Sequence, residues 1–265
     1  MFAQCSGGMS TIQGDDALTA AAGLVDRVAI VTGAGRGLGE AIAARLAALG
    51  ASVVVADIDG DAAAAVAARL PGAWGVAVDV ADWDAVHRLV QDTLDRLGRL
   101  DILVNNAARS VARGFWEIEP AEWDDVLAVN LRGVLAGVRA AGAVMRARGS
   151  GRIINLASLA GQQGAINGGA HYAASKAGII VLTKIAAAEL AAAGVTVNAI
   201  APAAIDGPIL AAMTPERQAA IAASIPVGRV GQPEEVAATV AFLASDEAAF
   251  ITGATLDVNG GLFMR

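Results

Sequence analysis

Cysteine is nearly missing from this chain: Cys5 stands alone in 265 residues. A single thiol excludes a disulfide framework and any metal cluster built on several cysteines. Histidine is almost as scarce, with only His87 and His171. His87 falls in a segment patterned as a surface helix, where a solvated ring needs no further role. Basic side chains are in deficit. Lys and Arg total 19 against 26 Asp and Glu, for a net charge of −7. That balance argues against nucleic acid or an anionic membrane surface as the main partner. No apolar run reaches membrane-spanning length without glycine or charge. The first ~20 residues lack the basic start and apolar core of a secretion signal. Residues 1–24 read as a flexible extension, within which Met9 offers an alternative start. Taken together, these absences make the cytoplasm the expected compartment.

Linkers and repeats are missing too. No Pro/Gly/Ser-rich break divides the chain, so residues 25–265 are expected to form one domain. Apolar residues, by contrast, make up 55%, much of it alanine, which is ample for a large core. Short apolar runs at 28–31, 52–56, 74–78, 101–104, 152–157, 195–200 and 254–258 read as strands. They are nearly continuous in Val, Ile and Ala rather than alternating, as in strands buried on both faces. Helix-length segments lie between them. Leu38, Ile42, Leu46 and Leu49 make one apolar stripe, with Gly50 where the helix would end. Asp82 is placed to cap the helix that carries Val86, Leu89, Val90 and Leu94. Pro233 opens another, with Glu234 and Glu235 in the first turn, where the dipole favours acids. The alternation predicts a doubly wound α/β fold: a three-layer sandwich on a parallel sheet of seven strands.

Two local patterns carry chemistry. The first strand runs into Thr32-Gly33-Ala34-Gly35-Arg36-Gly37-Leu38-Gly39 and then a helix. Glycines let the backbone turn tightly and approach a pyrophosphate, which the helix N-terminus then receives. The spacing is G-x-x-x-G-x-G, at 33, 37 and 39, with Leu38 where the commoner dinucleotide spacing needs glycine. Asp57 follows the second strand, where a carboxylate meets adenosine ribose hydroxyls and repels a 2′-phosphate. NAD is therefore expected over NADP, although Arg36 pulls the other way and Asp57 also reads as a turn residue before Asp59-Gly60. In the second pattern, Tyr172 and Lys176 are four residues apart and share a helix face. A nearby ammonium favours the phenolate. Bringing a phenol from ~10 to neutrality takes roughly 4 kcal/mol, part of which Lys176 is expected to supply.

With Asp79-Val80, Asn105-Asn106-Ala107-Ala108, Asn130 in VNLRG, Ser158 in NLASLAG, YAASK at 172–176, VNAIAP at 197–202 and the tail from Gly228 to Gly261, these patterns resemble the short-chain dehydrogenase/reductase family. The likeness runs from about Val25 to Gly261 and is carried by the order and spacing of the set. It implies a Rossmann-type fold and a reversible hydride transfer between a nicotinamide cofactor and a secondary alcohol or ketone. It assigns the proton transfer to Tyr172, support of the phenol and nicotinamide ribose to Lys176, the substrate oxygen to Ser158, and a water linking Lys176 to solvent to Asn130. Gly33, Arg36, Gly37, Leu38, Gly39 and Asp57 would hold the adenosine and phosphate half. Asp79 and Val80 would meet adenine; Asn105, Asn106 and Ala107 would line the groove; Pro202, Ala203 and Ile205 would meet the nicotinamide half. Each has a plainer reading: Ser158 as a turn residue, Asn130 as a buried amide at a helix kink, Asn105 as a brace between strands, Asp79 as a cap. No metal is called for. Ala108 and the stretch Ala203-Ala204-Ile205-Asp206-Gly207 depart from the family pattern, the latter by lacking a threonine near the nicotinamide.

Segments 108–116, 159–171 and 203–224 are expected to wall the substrate pocket, through Arg109, Leu159, Gln162, Ile166, Asn167, His171, Ala204, Ile205, Ile209, Leu210 and Met213. Residues 208–224 read as a lid hinged at Gly207, Pro208 and Pro215. A neutral secondary alcohol or ketone is the expected substrate. Two other readings stay open: an NADPH-dependent 3-oxoacyl-carrier reductase, and a non-catalytic nucleotide-binding protein on the same fold. The resemblance also implies a homotetramer.

Overall fold

In a computed structural model, residues 23–164 and 169–264 are described. Seven parallel strands form one sheet in the order β3-β2-β1-β4-β5-β6-β7. They are β1 Val28–Thr32, β2 Ser52–Asp57, β3 Trp74–Ala77, β4 Ile102–Asn105, β5 Gly151–Leu156, β6 Val195–Pro202 and β7 Thr255–Val258. All seven expected strands form. The five inner ones are buried almost throughout, as their unbroken Val/Ile/Ala runs require.

Helices cover both faces. On one side α1 (Gly37–Ala48), α2 (Gly60–Ala67) and α10 (Pro233–Ala244) pack with Ile42, Leu46, Val66, Val236 and Val240 against the sheet. On the other, α3 (Trp83–Leu97), α5 (Gly133–Arg148) and α7 (Ala170–Leu190) contribute Leu89, Val90, Val134, Met145 and Ile179. Asp82 caps α3 by accepting from the N–H groups of Asp84 and Ala85. Pro233 opens α10. Leu24 is buried and donates its N–H to Leu49 O at 2.8 Å, so the packed domain begins before the boundary drawn at residue 25.

A helical rod runs from Pro120 to Arg148: α4 (Pro120–Leu127), a π turn (Ala128–Arg132) and α5. Its length and composition would let it cross a membrane, but more than half of its most apolar window is packed inside the domain. The short helices α6 (Ala160–Gln163), α8 (Pro208–Ala211) and α9 (Pro215–Ser224) follow strand ends on the C-terminal edge of the sheet. β1 is flanked by β2 and β4, so successive crossovers leave it in opposite directions. The crevice at that reversal is where open α/β sheets take ligands.

Candidate active site

Two adjoining cavities make a cleft along this edge, of about 560 Å³ and about 390 Å³. Leu38, Asn106, Ala108 and Pro208 belong to the walls of both. All but one of the cofactor residues expected from the first half of the chain line the larger one: Gly33, Arg36, Gly37, Leu38, Gly39, Asp57, Asp79, Val80, Asn106 and Ala107, with Asn105 the exception. The loop is built for close approach. Gly37 has φ +58° and faces open space bounded by Pro208, whereas a methyl on Gly39 would strike Gly33 O and Asn106. Asn106 ties the end of β4 to the loop through Nδ2, which donates to Thr32 O and Gly33 O at 2.9 Å. Asp57 is buried at the end of β2, its carboxylate accepting from Gly35 N at 2.8 Å and Asp59 N at 3.0 Å. It orders the turn, and it also lines the larger cavity. Asp79 accepts from Ala81 N and leaves the helix cap to Asp82. Asn105 proves a brace, donating to Asn155 Oδ1 at 2.8 Å.

A long cleft with a glycine-loop backbone along it, carboxylates at one end and a proton donor at the other fits a dinucleotide.

The smaller cavity holds Ser158, Tyr172, Lys176, Pro202, Ala203, Ala204, Ile205 and Leu210. Ser158 follows β5, while Tyr172 and Lys176 lie in the first turns of α7. Lys176 is buried, donates from Nζ to Leu156 O at 2.6 Å, and stands 5.6 Å from the Tyr172 ring centroid. Burial brings its pKa down to about 8. Burial also raises the phenol, and only the hydrogen bond with Ser158 lowers it in part. The expectation that Lys176 pulls the Tyr172 phenol down is therefore corrected for the protein by itself. The shared face is there, but burial sets the direction of the shift.

Asn130 sits in the π turn, where its Oδ1 accepts from Arg109 N at 2.7 Å and its Nδ2 donates to Arg109 O and Ser175 Oγ. The amide is buried, with both its polar atoms hydrogen-bonded. Four residues expected in the substrate pocket stand elsewhere. Arg109 is exposed and lines the larger cavity. Leu159 turns into the protein. Gln162 reaches Asp257 Oδ1 on β7 at 2.6 Å. His171 is wholly buried behind Tyr172. Ile166 and Asn167 lie outside the described residues, as does the side chain of Ile209. In their place Ser110, Asp206 and Ile221 line the cavity. They fall within the wall segments named from sequence, but no local pattern marks them.

A doubly wound sheet with a dinucleotide-shaped cleft and a Ser–Tyr–Lys set at its far end defines a nucleotide-dependent oxidoreductase. The family described as enoyl-(acyl carrier protein) reductase matches residues 33–263. The 3-oxoacyl-(acyl-carrier-protein) reductase FabG of Escherichia coli (strain K12) is 41% identical over 240 residues, covering 90% of this chain and 98% of that one. FabG of Staphylococcus aureus (strain Mu50 / ATCC 700699) is 43% identical over 241 residues, covering 89% and 98%. The 3-oxoacyl-(acyl-carrier-protein) reductase of Synechocystis sp. (strain ATCC 27184 / PCC 6803 / Kazusa) is 45% identical over 248, covering 91% and 98%. The chain belongs to the short-chain dehydrogenase/reductase family, whose members bind a nicotinamide cofactor.

Proposed function

We propose that the protein reduces the ketone of a 3-oxoacyl group to the alcohol, and catalyses the reverse oxidation, with NAD(H) as its cofactor. The observation that carries the chemistry is a phenol, that of Tyr172, standing with Ser158 and Lys176 on the wall of one mostly apolar cavity. Such a phenol is poised to give a proton to a ketone oxygen. The substrate class is supported by the relatives, whose names specify 3-oxoacyl groups. The matching family's description names reduction of a carbon–carbon double bond instead. A hydroxyl donor beside the phenol suits a carbonyl oxygen better than an alkene.

When bound, the nicotinamide supplies the hydride. Ser158 fixes the ketone oxygen by hydrogen bonding. Tyr172 gives its proton to that oxygen as negative charge develops there. Lys176 then stabilises the phenolate left behind. NAD(H) is favoured because the Asp57 carboxylate would face a 2′-phosphate with like charge; Arg36, exposed on the same cavity, opposes it.

A second reading is an NAD-linked dehydrogenase of free secondary alcohols. Its support is the net charge of −7 and the exposed Asp206 on the substrate cavity, both unfavourable to an acidic carrier. The deciding assay follows absorbance of the reduced nicotinamide with a 3-oxoacyl thioester and with a panel of neutral ketones and alcohols, each with both cofactors. Thioester turnover, faster with NADH and reduced about 100-fold or more in Tyr172→Phe, is expected. Turnover of free alcohols alone would replace the first reading by the second. NADPH preference would remove the role given to Asp57, and silence with cofactor still bound would favour a non-catalytic nucleotide-binding protein.

The same proposal includes a homotetramer joined through α5 and α7. Val181 and Ile185 are more than half exposed on α7, where a second copy would cover them. Light scattering that returned a monomer mass would remove this part.

A further inference from the structure

His171 immediately precedes Tyr172, and its imidazole is wholly buried yet lines neither half of the cleft. Its Nδ1 accepts the Tyr172 backbone N–H at 2.8 Å. A main-chain N–H only donates, so Nδ1 carries no hydrogen. The ring hydrogen is thereby assigned to Nε2, which donates to Glu122 Oε1 at 3.3 Å. Arg113 grips Glu122 in turn, with Nε 3.1 Å from Oε1 and Nη2 2.8 Å from Oε2. Three side chains from three segments thus end on the main chain of Tyr172. Its N–H belongs to the first turn of α7, and among the described residues no preceding carbonyl serves it; Ala173 is the residue that bonds Gly169 O. The imidazole takes that orphan donor.

The carbonyl of Tyr172 is held as well. Ser175 Oγ donates to Tyr172 O at 2.7 Å and accepts from Asn130 Nδ2 at 3.1 Å. Asn130 is fixed to both main-chain groups of Arg109. One arm therefore runs from Arg113 and the other from Arg109, two ends of one short segment after β4. They meet on the two sides of Tyr172. Among the described residues, the imidazole is paired with Glu122 on α4 and through it with Arg113 on the loop, while Lys176 lies five residues further along α7.

We propose that His171, oriented by Glu122 and Arg113, is a positioning residue that holds the Tyr172 phenol in place for proton transfer. It acts through the backbone and touches neither substrate nor cofactor. The inference rests on the role given to Tyr172 above.

Tyr172 is the only tyrosine in the chain, so its phenolate absorbance can be titrated directly, without substrate. Three variants are compared with wild type by this titration and by kcat and KM. His171→Phe removes the acceptor. His171→Asn keeps an acceptor near the place of Nδ1. Glu122→Leu, at a partly exposed site, frees the ring hydrogen to move between nitrogens. In wild type the phenol should titrate above the ordinary ~10. In His171→Phe and Glu122→Leu it should fall back as water reaches the ring, with kcat lower by on the order of 10- to 100-fold and KM within about threefold. His171→Asn should stay close to wild type in both readouts. Wild-type titration and kcat in His171→Phe or Glu122→Leu overturn the proposal, as does a shifted titration with unchanged kcat. If His171→Phe fails to fold, Glu122→Leu decides alone. A shifted titration in an enzyme with no turnover at all supports the positioning and counts against the proposed activity.

Discussion

Burying the Lys176 ammonium lowers its pKa from 10.5 to about 8, because desolvation penalises the charged form. A lowered lysine pKa makes the group a cost to the fold. Below about pH 8 the folded and unfolded chains both carry the charge, and the cost is complete. Between about 8 and 10.5 the folded chain loses its proton first, so stability rises with pH through that window. Lys176→Met should therefore gain stability relative to wild type at pH 7 compared with pH 10, by on the order of 2 kcal/mol, while losing turnover. Denaturant midpoints of both proteins at the two pH values test this; a difference independent of pH would mean the ammonium is solvated. The same residue shows what local spacing conveys. Four residues on a helix place Tyr172 and Lys176 on one face, and they are there. The sign of the phenol's shift was not legible, because it depends on how deeply the surrounding fold buries both groups.

Elements were legible in proportion to how fully local composition determines them. The inner strands are buried on both faces, so their Val/Ile/Ala runs have one reading, and β5 and β6 form within a residue or two of the expected limits. Asp82 and Pro233 mark helix starts by chemistry that needs no tertiary context. The glycine loop belongs to the same class, since tight turning and close approach are backbone properties. α6 is the contrary case. Four residues give no periodicity, and nothing in the sequence says that Leu159 turns inward or that Gln162 reaches across to β7. The π turn is likewise hidden, because Ala128–Arg132 continues an ordinary helical pattern. Its widened turn puts Asn130 against the Arg109 backbone, a contact set by the meeting of two segments about twenty residues apart. For the same reason Arg109, adjacent to the cleft in sequence, has its main chain fastened while its side chain faces solvent beside the larger cavity. Proteins commonly carry such local irregularities at functional sites.

Across the whole molecule, function and stability sit at opposite ends of the sheet. The cleft occupies the C-terminal edge; the opposite edge is fastened by Asp101, just before β4, whose side chain is fully buried. Its carboxylate meets Arg99 through two bonds of 2.8 Å, Arg148 at 2.8 Å and the Val28 N–H at 2.8 Å, with Arg27 at 3.8 Å. Its main chain completes the joint, since Asp101 N donates to Val28 O and Asp101 O accepts from Arg152 N. One residue thus links the entries of β1, β4 and β5. Burial by itself would raise the carboxyl, but the Arg99 bonds, the Val28 N–H and Arg148 together hold it below its ordinary value. The stabilisation is complete above the unfolded value near 3.8 and is lost as pH falls through the lower folded one. Asp101→Asn leaves the arginines without their buried partner, a change that costs about 3 kcal/mol at neutral pH. The loss should appear in chemical denaturation at pH 7 and shrink toward acid, where the wild-type carboxyl is itself protonated. Since the joint lies at the far edge from Tyr172, kcat of the folded mutant should stay within about twofold of wild type. A stable Asp101→Asn protein would show that the arginines find solvent readily and that the joint is held by the main chain alone; a folded mutant with low kcat would show that strain at this edge reaches the cleft through β4 and β5.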